Sequence, residues 1–359
     1  MSGERQRALI VTTMRDEGPF ILEWLAHHKA IGFTDFLVYS NDCSDGTDAM
    51  LDRLAEMGHV VHVPNRPKGR KTVQWQALSD AGRHPLVQQV DWIYGTDVDE
   101  FLNIKVGQGR LADLFAHAPA ATGFALAWRM FGNAGRVAFE DRPVLEQFTT
   151  CAPEGMLWPW RAIQFKSLYR NDGTYRKLGV HRPKDPRTGK EARAVWVDGS
   201  NNPLPTKVPG GATLVPTFAN QYGMAQINHY ALGSVENFLV KRLRGRPNHA
   251  DEPIDLAYWI DRNFNAVEDT SIARIAPLSR PLLAELMDDP VLAGLHKAAV
   301  EWRRRKIREL LLDSDGFYLY ARLQQLGSTE VLPQQRQRLL MNQLMRMRAE
   351  VMRRKAIAG

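Results

Sequence analysis

Short apolar runs alternate with amphipathic stretches through the N-terminal part of the chain. Ala8-Leu9-Ile10-Val11-Thr12-Thr13 is a short, β-branched run of the kind buried in a sheet. A polar loop covers residues 14–19. Ile21, Leu22, Trp24, Leu25 and His28 then recur at helical spacing, and Gly32 ends the pattern. Residues 36–39 and 60–63 read as strands, with a helix over 48–57 between them. Residues 72–81 are helical, Trp92-Ile93-Tyr94 opens a fourth strand, and 124–128 forms another. The alternation predicts an α/β fold, a mostly parallel sheet flanked by helices, with ligands bound beyond the carboxyl ends of the strands. Residues 150–230 hold many Gly and Pro, strand-like pieces such as Ala194-Val195-Trp196-Val197, and a turn-rich loop over 198–211. From Ser234 the pattern turns helical, over 235–244, 253–262, 281–287, 290–312 and 333–355. The expected division is an α/β domain over 1–232 and a helical C-terminal region over 233–359.

Composition changes this picture little. The chain has 359 residues, 44% hydrophobic and 24% charged, which suits a globular protein with a sizeable core. Its two cysteines, Cys43 and Cys151, form no Cys-x-x-Cys pattern, so neither a disulfide framework nor a structural zinc site is indicated. Residues 1–7 are polar, and the apolar run after them is too short for a signal-peptide core or a membrane span. A cytoplasmic location is expected. The net charge of +7 suits an anionic partner, but much of it sits late, in Arg303-Arg304-Arg305-Lys306 and in the segment from Arg346 to Lys355. Interleaved basic and aromatic residues of the usual nucleic-acid modules are missing, so no nucleic-acid partner is expected.

The polar clusters fall where the architecture would put a site. Asp97 and Asp99 flank one residue at a strand end, and alternate residues of an extended segment face the same side. Both carboxylates can therefore reach one hard cation, Mg²⁺ or Mn²⁺, which would bridge them to substrate phosphates. The competing explanation is an acidic turn that caps the strand or pairs with Arg. Asn41-Asp42-Cys43-Ser44-Asp45-Gly46-Thr47 is rich in Asx residues and could equally be a helix N-cap, with Ser44 or Thr47 as the cap.

Taken in order, Arg15-Asp16-Glu17, Glu23-Trp24-Leu25-Ala26-His27-His28, the 41–47 turn and Asp97-Val98-Asp99-Glu100-Phe101-Leu102 resemble the motif series of family 2-like GT-A glycosyltransferases. The series is also similar to family 92. A looser match continues through Trp128-Arg129, Lys166, His181 and His229. The resemblance implies a GT-A (Rossmann-like) catalytic domain and metal-dependent transfer of a sugar from a nucleotide sugar, UDP- or GDP-linked. The acceptor would be a glycan or lipid-linked, and transfer inverting. It places Thr12, Thr13, Arg15, Glu17, Asn41, Asp42, Lys71 and Asp97 at the nucleotide sugar, with Gln74 and Gln76 approaching it. Asp99 would ligate the metal and Asp97 would contact metal or ribose. His181 and His229 are the candidate imidazole ligands. Asp16 stands where the subgroup has Asn. For the base that takes the acceptor proton, Glu140, Asp141, Glu146 and Glu154 are candidates, with Asp141 and Glu146 carried forward beside Asp99 as catalytic residues. His27 and His28 are expected to pack or orient the first helix.

Two other functions remain open at this level: a non-catalytic nucleotide-sugar or glycan-binding protein, and a nucleotidyltransferase. The latter would carry a Gly-rich phosphate loop near the first strand, which is not seen. Trp158-Pro159-Trp160 is either an acceptor platform or a hydrophobic corner. The run from Lys241 to Arg246 would bind donor phosphates or form a solvated helix face. Residues 337–356 form a basic amphipathic helix that either lies on an anionic membrane surface or packs on its own domain.

Overall fold

The computed structural model describes residues 6–66, 72–204, 221–244 and 254–358. The strands are β1 (Ala8–Met14), β2 (Asp35–Ser40), β3 (Val61–Pro64), β4 (Trp92–Gly95), β5 (Glu100–Ile104), β6 (Gly123–Met130), β7 (Thr150–Cys151), β8 (Phe165–Arg170), β9 (Tyr175–Lys177), β10 (Lys184–Pro186), β11 (Trp196–Asp198), β12 (Ala225–His229) and β13 (Val267–Glu268). Nine of them form the central sheet, in the order β3-β2-β1-β4-β8-β6-β12-β5, with β11 also against β6. β3, β2, β1 and β4 run parallel. β8 is antiparallel to both β4 and β6, and β5 is antiparallel to β12. The mostly parallel α/β sheet flanked by helices is therefore as the alternation implies.

Local chemistry explains the first half. β1 is buried along nearly its whole length, which an apolar run achieves when helices cover both sheet faces. Helix α1 (Ile21–Ile31) stops at Gly32, whose φ of 112° lets its N–H reach the carbonyls of the last turn. His27 and His28 are fully buried on α1, against Leu102 and Phe101 of β5, so they orient that helix on the sheet. Helices α2 (Thr47–Glu56) and α3 (Val73–Ala81) follow β2 and β3. α4 (Leu111–His117) and the single turn α5 (Val144–Gln147) complete this half.

The C-terminal region comprises α6 (Val235–Arg244), α7 (Leu256–Ile260), α8 (Ala276–Asp288), α9 (Pro290–Leu312), α10 (Ser314–Leu326) and α11 (Gln334–Ala358). α8 packs on α1, and α9 packs on α2 and α6. Leu286, Leu292 and Ala299 belong to the same hydrophobic cluster as Trp24 and Phe101, so these helices share the main core. The fit is tightest at Gly18 in the loop after β1, where a Cβ would stand 2.5 Å from that of Ala299. α10 was not anticipated; the Asp313 carboxylate caps it by accepting from Gly316 N–H at 3.0 Å. Trp158-Pro159-Trp160 is a corner under α11. Gln337 accepts from the backbone N–H groups of Leu157 and Trp158, and the Arg348 guanidinium lies 4.6 Å from the Trp160 ring.

Candidate active site

The short connection from β4 to β5 carries Thr96, Asp97, Val98 and Asp99 over the carboxyl edge of the sheet. It is braced from below by Glu100, which is fully buried. One Glu100 carboxylate oxygen accepts from Thr96 Oγ1 (2.9 Å) and from the Asp97 N–H (3.1 Å). Burial raises the Glu100 pKa to about 8; the charges of Asp97 and Asp99 act the same way, and Lys166 opposes them.

Asp97 and Asp99 are separated by environment although one residue lies between them. Asp97 accepts from Lys166 Nζ at 2.9 Å and from Gln74 Nε2 at 3.3 Å. Lys166, on β8, is 1% exposed. Burial works against its charge, but Asp97 and Glu100 outweigh that and hold it above the ordinary lysine range. Asp99 accepts from Lys241 Nζ of α6 at 2.5 Å, and its other oxygen lies 3.8 Å from His229 Nε2 at the end of β12. Burial opposes ionisation of Asp99, yet Lys241 and His229 leave its carboxyl well below the usual range. Burial lowers the pKa of His229 itself, so the imidazole is favoured in its neutral form.

Two cavities lie near this turn. The one beside Asp97, about 270 Å³, is lined by Thr12, Thr13, Gln74, Thr96 and Lys166. The one beside Asp99, about 710 Å³, lies between Glu17, Phe20 and Phe139 on one wall and Asn237, Lys241 and Arg303 on the other.

The loop after β1 is built by the 41–47 turn. Gly46, not Ser44 or Thr47, is the N-cap of α2, and it carries no side-chain cap; Asp45 just before it folds the turn. The Asp45 carboxylate accepts from Thr47 N–H and Oγ1 (2.9 and 2.6 Å) and from Gly18 N–H (2.9 Å), while Thr47 Oγ1 accepts from Glu17 N–H (2.8 Å). Asp16 caps the turn from the other side, accepting from Ser44 N–H at 2.6 Å. Asn41 is buried and donates to the Asn65 carbonyl, Asp42 is exposed with a φ of 43°, and Arg15 is exposed beside Asp16. Gln76 turns away to Asp80, and Lys71 lies outside the described residues.

The late histidines part company. His229 faces Asp99, whereas His181 donates from Nδ1 to the Phe165 carbonyl (2.8 Å), and burial pushes it down to about 4. The Trp128 ring packs against both imidazoles. The candidate bases do not gather at the turn. Asp141 pairs with His296 at 3.0 Å, Glu146 with Arg280 at 2.9 Å beside a different cavity, and Glu154 with Arg129 at 3.2 Å. Glu140 reaches the rim of the larger cavity, paired there with Arg136 and Arg142. The residues that reasoning from spacing passed over are Lys241 and Lys166 as specific partners of the two aspartates, and Phe139 and Arg303 on the cavity walls. Among the described residues no three His, Cys, Asp or Glu side chains form a ready metal cluster.

With this geometry in view, comparison with known proteins is informative. Residues 11–198 match the sequence profile of glycosyltransferase family 92. A family 92 protein of Oryza sativa subsp. japonica is 25% identical over 154 residues, which are 40% of this chain and 25% of that protein. One from Ricinus communis is 26% identical over 112 residues, 30% of this chain and 19% of that protein. The match thus spans a quarter or less of these relatives' length. Among solved structures, the mannosyltransferase PcManGT from Pyrobaculum calidifontis, in complex with GDP-Man and Mn²⁺, aligns over 89% of this chain and 86% of its own, at 14% identity and a TM-score of 0.33. S. aureus TarS 1–349 in complex with UDP-GlcNAc aligns over 46% and 45%, at 14% identity and a TM-score of 0.28.

Proposed function

The chain belongs to glycosyltransferase family 92, and we propose that it transfers a hexosyl group from a nucleotide sugar, UDP- or GDP-linked, to a hydroxyl of a glycan or lipid-linked acceptor, with inversion and with help from Mn²⁺ or Mg²⁺. The observation that carries this reading is the turn from Asp97 to Asp99, which lies near two cavities, one reached by Thr12, Thr13 and Lys166 and a larger one lined by Asp99, and has a lysine paired with each carboxylate. Nucleotide and diphosphate need polar contacts and positive charge. The acceptor needs a separate approach to the anomeric carbon.

A metal would find a reduced donor set. Asp99 and His229 face one another at 3.8 Å, and the depressed histidine presents a neutral nitrogen. Two protein ligands, with the rest from diphosphate and water, suit Mg²⁺ or Mn²⁺. Both carboxylates are engaged by a lysine, so an ion would have to compete with Lys166 at Asp97 or with Lys241 at Asp99; the imidazole of His229 beside Asp99 makes Asp99 and His229 the residues that would hold it. It would supply positive charge to the leaving diphosphate. The chain's own cations serve the same end. Lys166 stands at the nucleotide-side cavity and Lys241 at the acceptor-side chamber, both in surroundings that screen charge poorly. Thr12 and Thr13 line the place where ribose and base would sit.

The test is a panel of UDP-, GDP- and other nucleotide sugars with Mn²⁺, read by donor hydrolysis and by thermal stabilisation. One nucleotide class should stabilise the protein and be turned over. Unchanged metal-dependent binding and turnover in Asp99→Ala would refute the assignment.

The terminal helix adds a proposed location, the cytoplasmic face of an anionic membrane. Leu339, Met345, Met347, Val351 and Met352 of α11 are exposed beside Arg346, Arg353 and Arg354. No helix among the described residues is long and apolar enough to cross a membrane. Truncation after Leu344 keeps Gln337 in its packing site, gives up only the Arg348 contact to Trp160, and should abolish sedimentation with phosphatidylglycerol vesicles while the chain still unfolds cooperatively at a melting temperature only slightly lowered. Retained sedimentation would exclude this surface.

A further inference from the structure

One short segment lines two cavities. Val144, Gln147 and Phe148 belong to the chamber beside Asp99, while Pro143, Leu145 and Glu146 belong to another cavity of about 520 Å³. The rest of that cavity is made by α1, by α8 and by the turn Ser271–Ile275, and it includes neither Asp97 nor Asp99. We propose that it is a binding site for a small organic amine, with the ammonium group held by Glu23 and the apolar body by the helix walls. An occupant steadies the 143–148 segment that the two cavities share. The site is independent of what binds at Asp97 and Asp99.

Charge is the first argument. One Glu23 carboxylate oxygen accepts from Val144 N–H at 2.6 Å and the other from Leu145 N–H at 3.1 Å. Among the described residues no basic side chain pairs with Glu23, whereas the exposed Glu146 is met by Arg280 at 2.9 Å. Glu23 is therefore the uncompensated acid of this cavity. Burial raises its pKa to about 7 against the pull of the two N–H groups, and the charge of Glu146 adds to the rise. Each oxygen keeps a second lone pair. An ammonium group supplies both the N–H donors and the positive charge, in surroundings that screen charge poorly. An anionic guest would meet like charge.

His27 is an independent sign. It lies one helical turn after Glu23 on α1, so the two share a face, and both line the cavity. Its Nε2 lies 2.9 Å from the Leu102 carbonyl. A carbonyl only accepts, so Nε2 carries the proton and Nδ1 presents a lone pair. That Nδ1 has no hydrogen-bond partner among the described residues, although His27 is only 1% exposed. Burial lowers the pKa of His27 to about 4 and so keeps the ring neutral. A buried acceptor without a donor is costly, and a guest N–H is what would satisfy it. Ala26, Leu145, Ile272, Ile275 and Leu283 complete the lining with apolar surface for an alkyl or aryl body. The volume falls within the roughly 300–1,000 Å³ of small-molecule sites.

The link to the chamber is Glu23 itself. Hydrogen bonds to an ionised carboxylate are shorter and stronger than those to a neutral one. A bound ammonium keeps Glu23 ionised and so tightens its hold on Val144 and Leu145. Gln147 and Phe148, within the next turn of chain, form part of the chamber wall.

The experiment uses the full chain and a matched pair of probes, 4-phenylbutylamine and 4-phenylbutanol, followed by calorimetry. At pH 8 the amine should bind at least tenfold more tightly than the alcohol. The groups facing Glu23 are His27 on its own helix, Glu146 on α5, Arg280 on α8 and Tyr230 after β12. Between pH 6 and 8 ionisation of Glu23 should raise the amine's affinity roughly tenfold and leave the alcohol's unchanged. Glu23→Gln should reduce the amine to the level of the alcohol. Leu283→Trp, which fills the cavity from α8 and carries the test should Glu23→Gln fail to fold, should weaken both probes at least tenfold. Hydrogen exchange of the Val144 and Leu145 amides should slow several-fold when the amine saturates wild type. Absence of binding by either probe, or binding that Leu283→Trp leaves intact, overturns the site. Equal affinities for amine and alcohol, or an amine that binds no better at pH 8 than at pH 6, overturns the pairing with Glu23. Unchanged exchange at Val144 and Leu145 on saturation overturns the link to the chamber alone.

Discussion

The two sides of the Asp97–Asp99 turn solve one electrostatic problem with different materials. On the Asp97 side the lysine comes from the sheet. Lys166 projects from β8, is 1% exposed, and touches both Asp97 and the buried Glu100. On the Asp99 side the lysine comes from a helix laid over the sheet, and Lys241 is joined by His229 at the end of β12. The first arrangement lies within the family-matched segment. The second is completed by residues beyond it. The difference teaches that the Asp97 side is written into the sheet, and with it the nucleotide handling proposed above, while what meets Asp99 depends on how the C-terminal helices dock.

The sharpest way to break this comparison is to remove the carboxylates one at a time. Asp99→Ala should lower turnover roughly 10³-fold, on the scale of losing a major electrostatic contact to the developing charge. Asp97→Ala should act mainly on nucleotide affinity, about tenfold, with a smaller loss in turnover. Equal kinetic profiles for the two variants would mean that the sides share one task. The lysines come next. Lys166→Met leaves the partly exposed Asp97 without its cation, a loss smaller than the about 3–5 kcal/mol of a fully buried pair, and should reduce both melting temperature and nucleotide affinity. Lys241→Met should leave the sheet intact, destabilise less, and lower turnover more than affinity. Denaturant titration beside nucleotide calorimetry separates these outcomes.

How much of this was legible in the sequence follows the distance between partners. The alternating elements, the position of the Asp-x-Asp turn and the loop after β1 depend on neighbours a few residues apart, and local spacing reveals them. The Asx-rich turn was read as a possible cap by Ser44 or Thr47, but the N-cap is Gly46 without a side-chain bond, and Asp45 holds the turn by accepting from Thr47. The ion pairs were not legible, because Lys166 meets Asp97 across 69 residues and Lys241 meets Asp99 across 142. Lys241 appears in the sequence only as one of a basic run. Asp141 and Glu146 stood out by following the Asp-x-Asp strand in the chain. The fold turns them outward to His296 and Arg280, partners on helices whose packing no local pattern encodes. His181 and His229 look equivalent as late histidines beside strands. Only strand order shows that one ends β12 against Asp99 and the other bonds the Phe165 carbonyl.

The smallest effect sharpens the comparison from beneath. Glu100 braces the turn from the core, and burial raises its pKa to about 8 from an ordinary value near 4.5. An acid whose folded pKa is raised keeps its proton in the native state after the unfolded chain has lost it. The native state therefore binds more protons between pH 4.5 and about 8, and the linkage slope is negative there. Glu100 contributes its full stability below pH 4.5 and loses it as the pH climbs toward 8. Glu23 acts in the same direction, raised by burial to about 7, while His27, lowered by burial to about 4, acts oppositely on the acid side. The whole-protein curve mixes these signs, but the difference between wild type and Glu100→Gln isolates one of them. Glutamine mimics the protonated carboxyl, so the two proteins should agree in structure at pH 5, and the variant should gain in relative stability up to about pH 8. A flat difference across that window would show that Glu100 is ionised throughout. Lys166 would then be shared between two charged carboxylates, and the Asp97 side would differ from the Asp99 side, where one carboxylate meets one lysine.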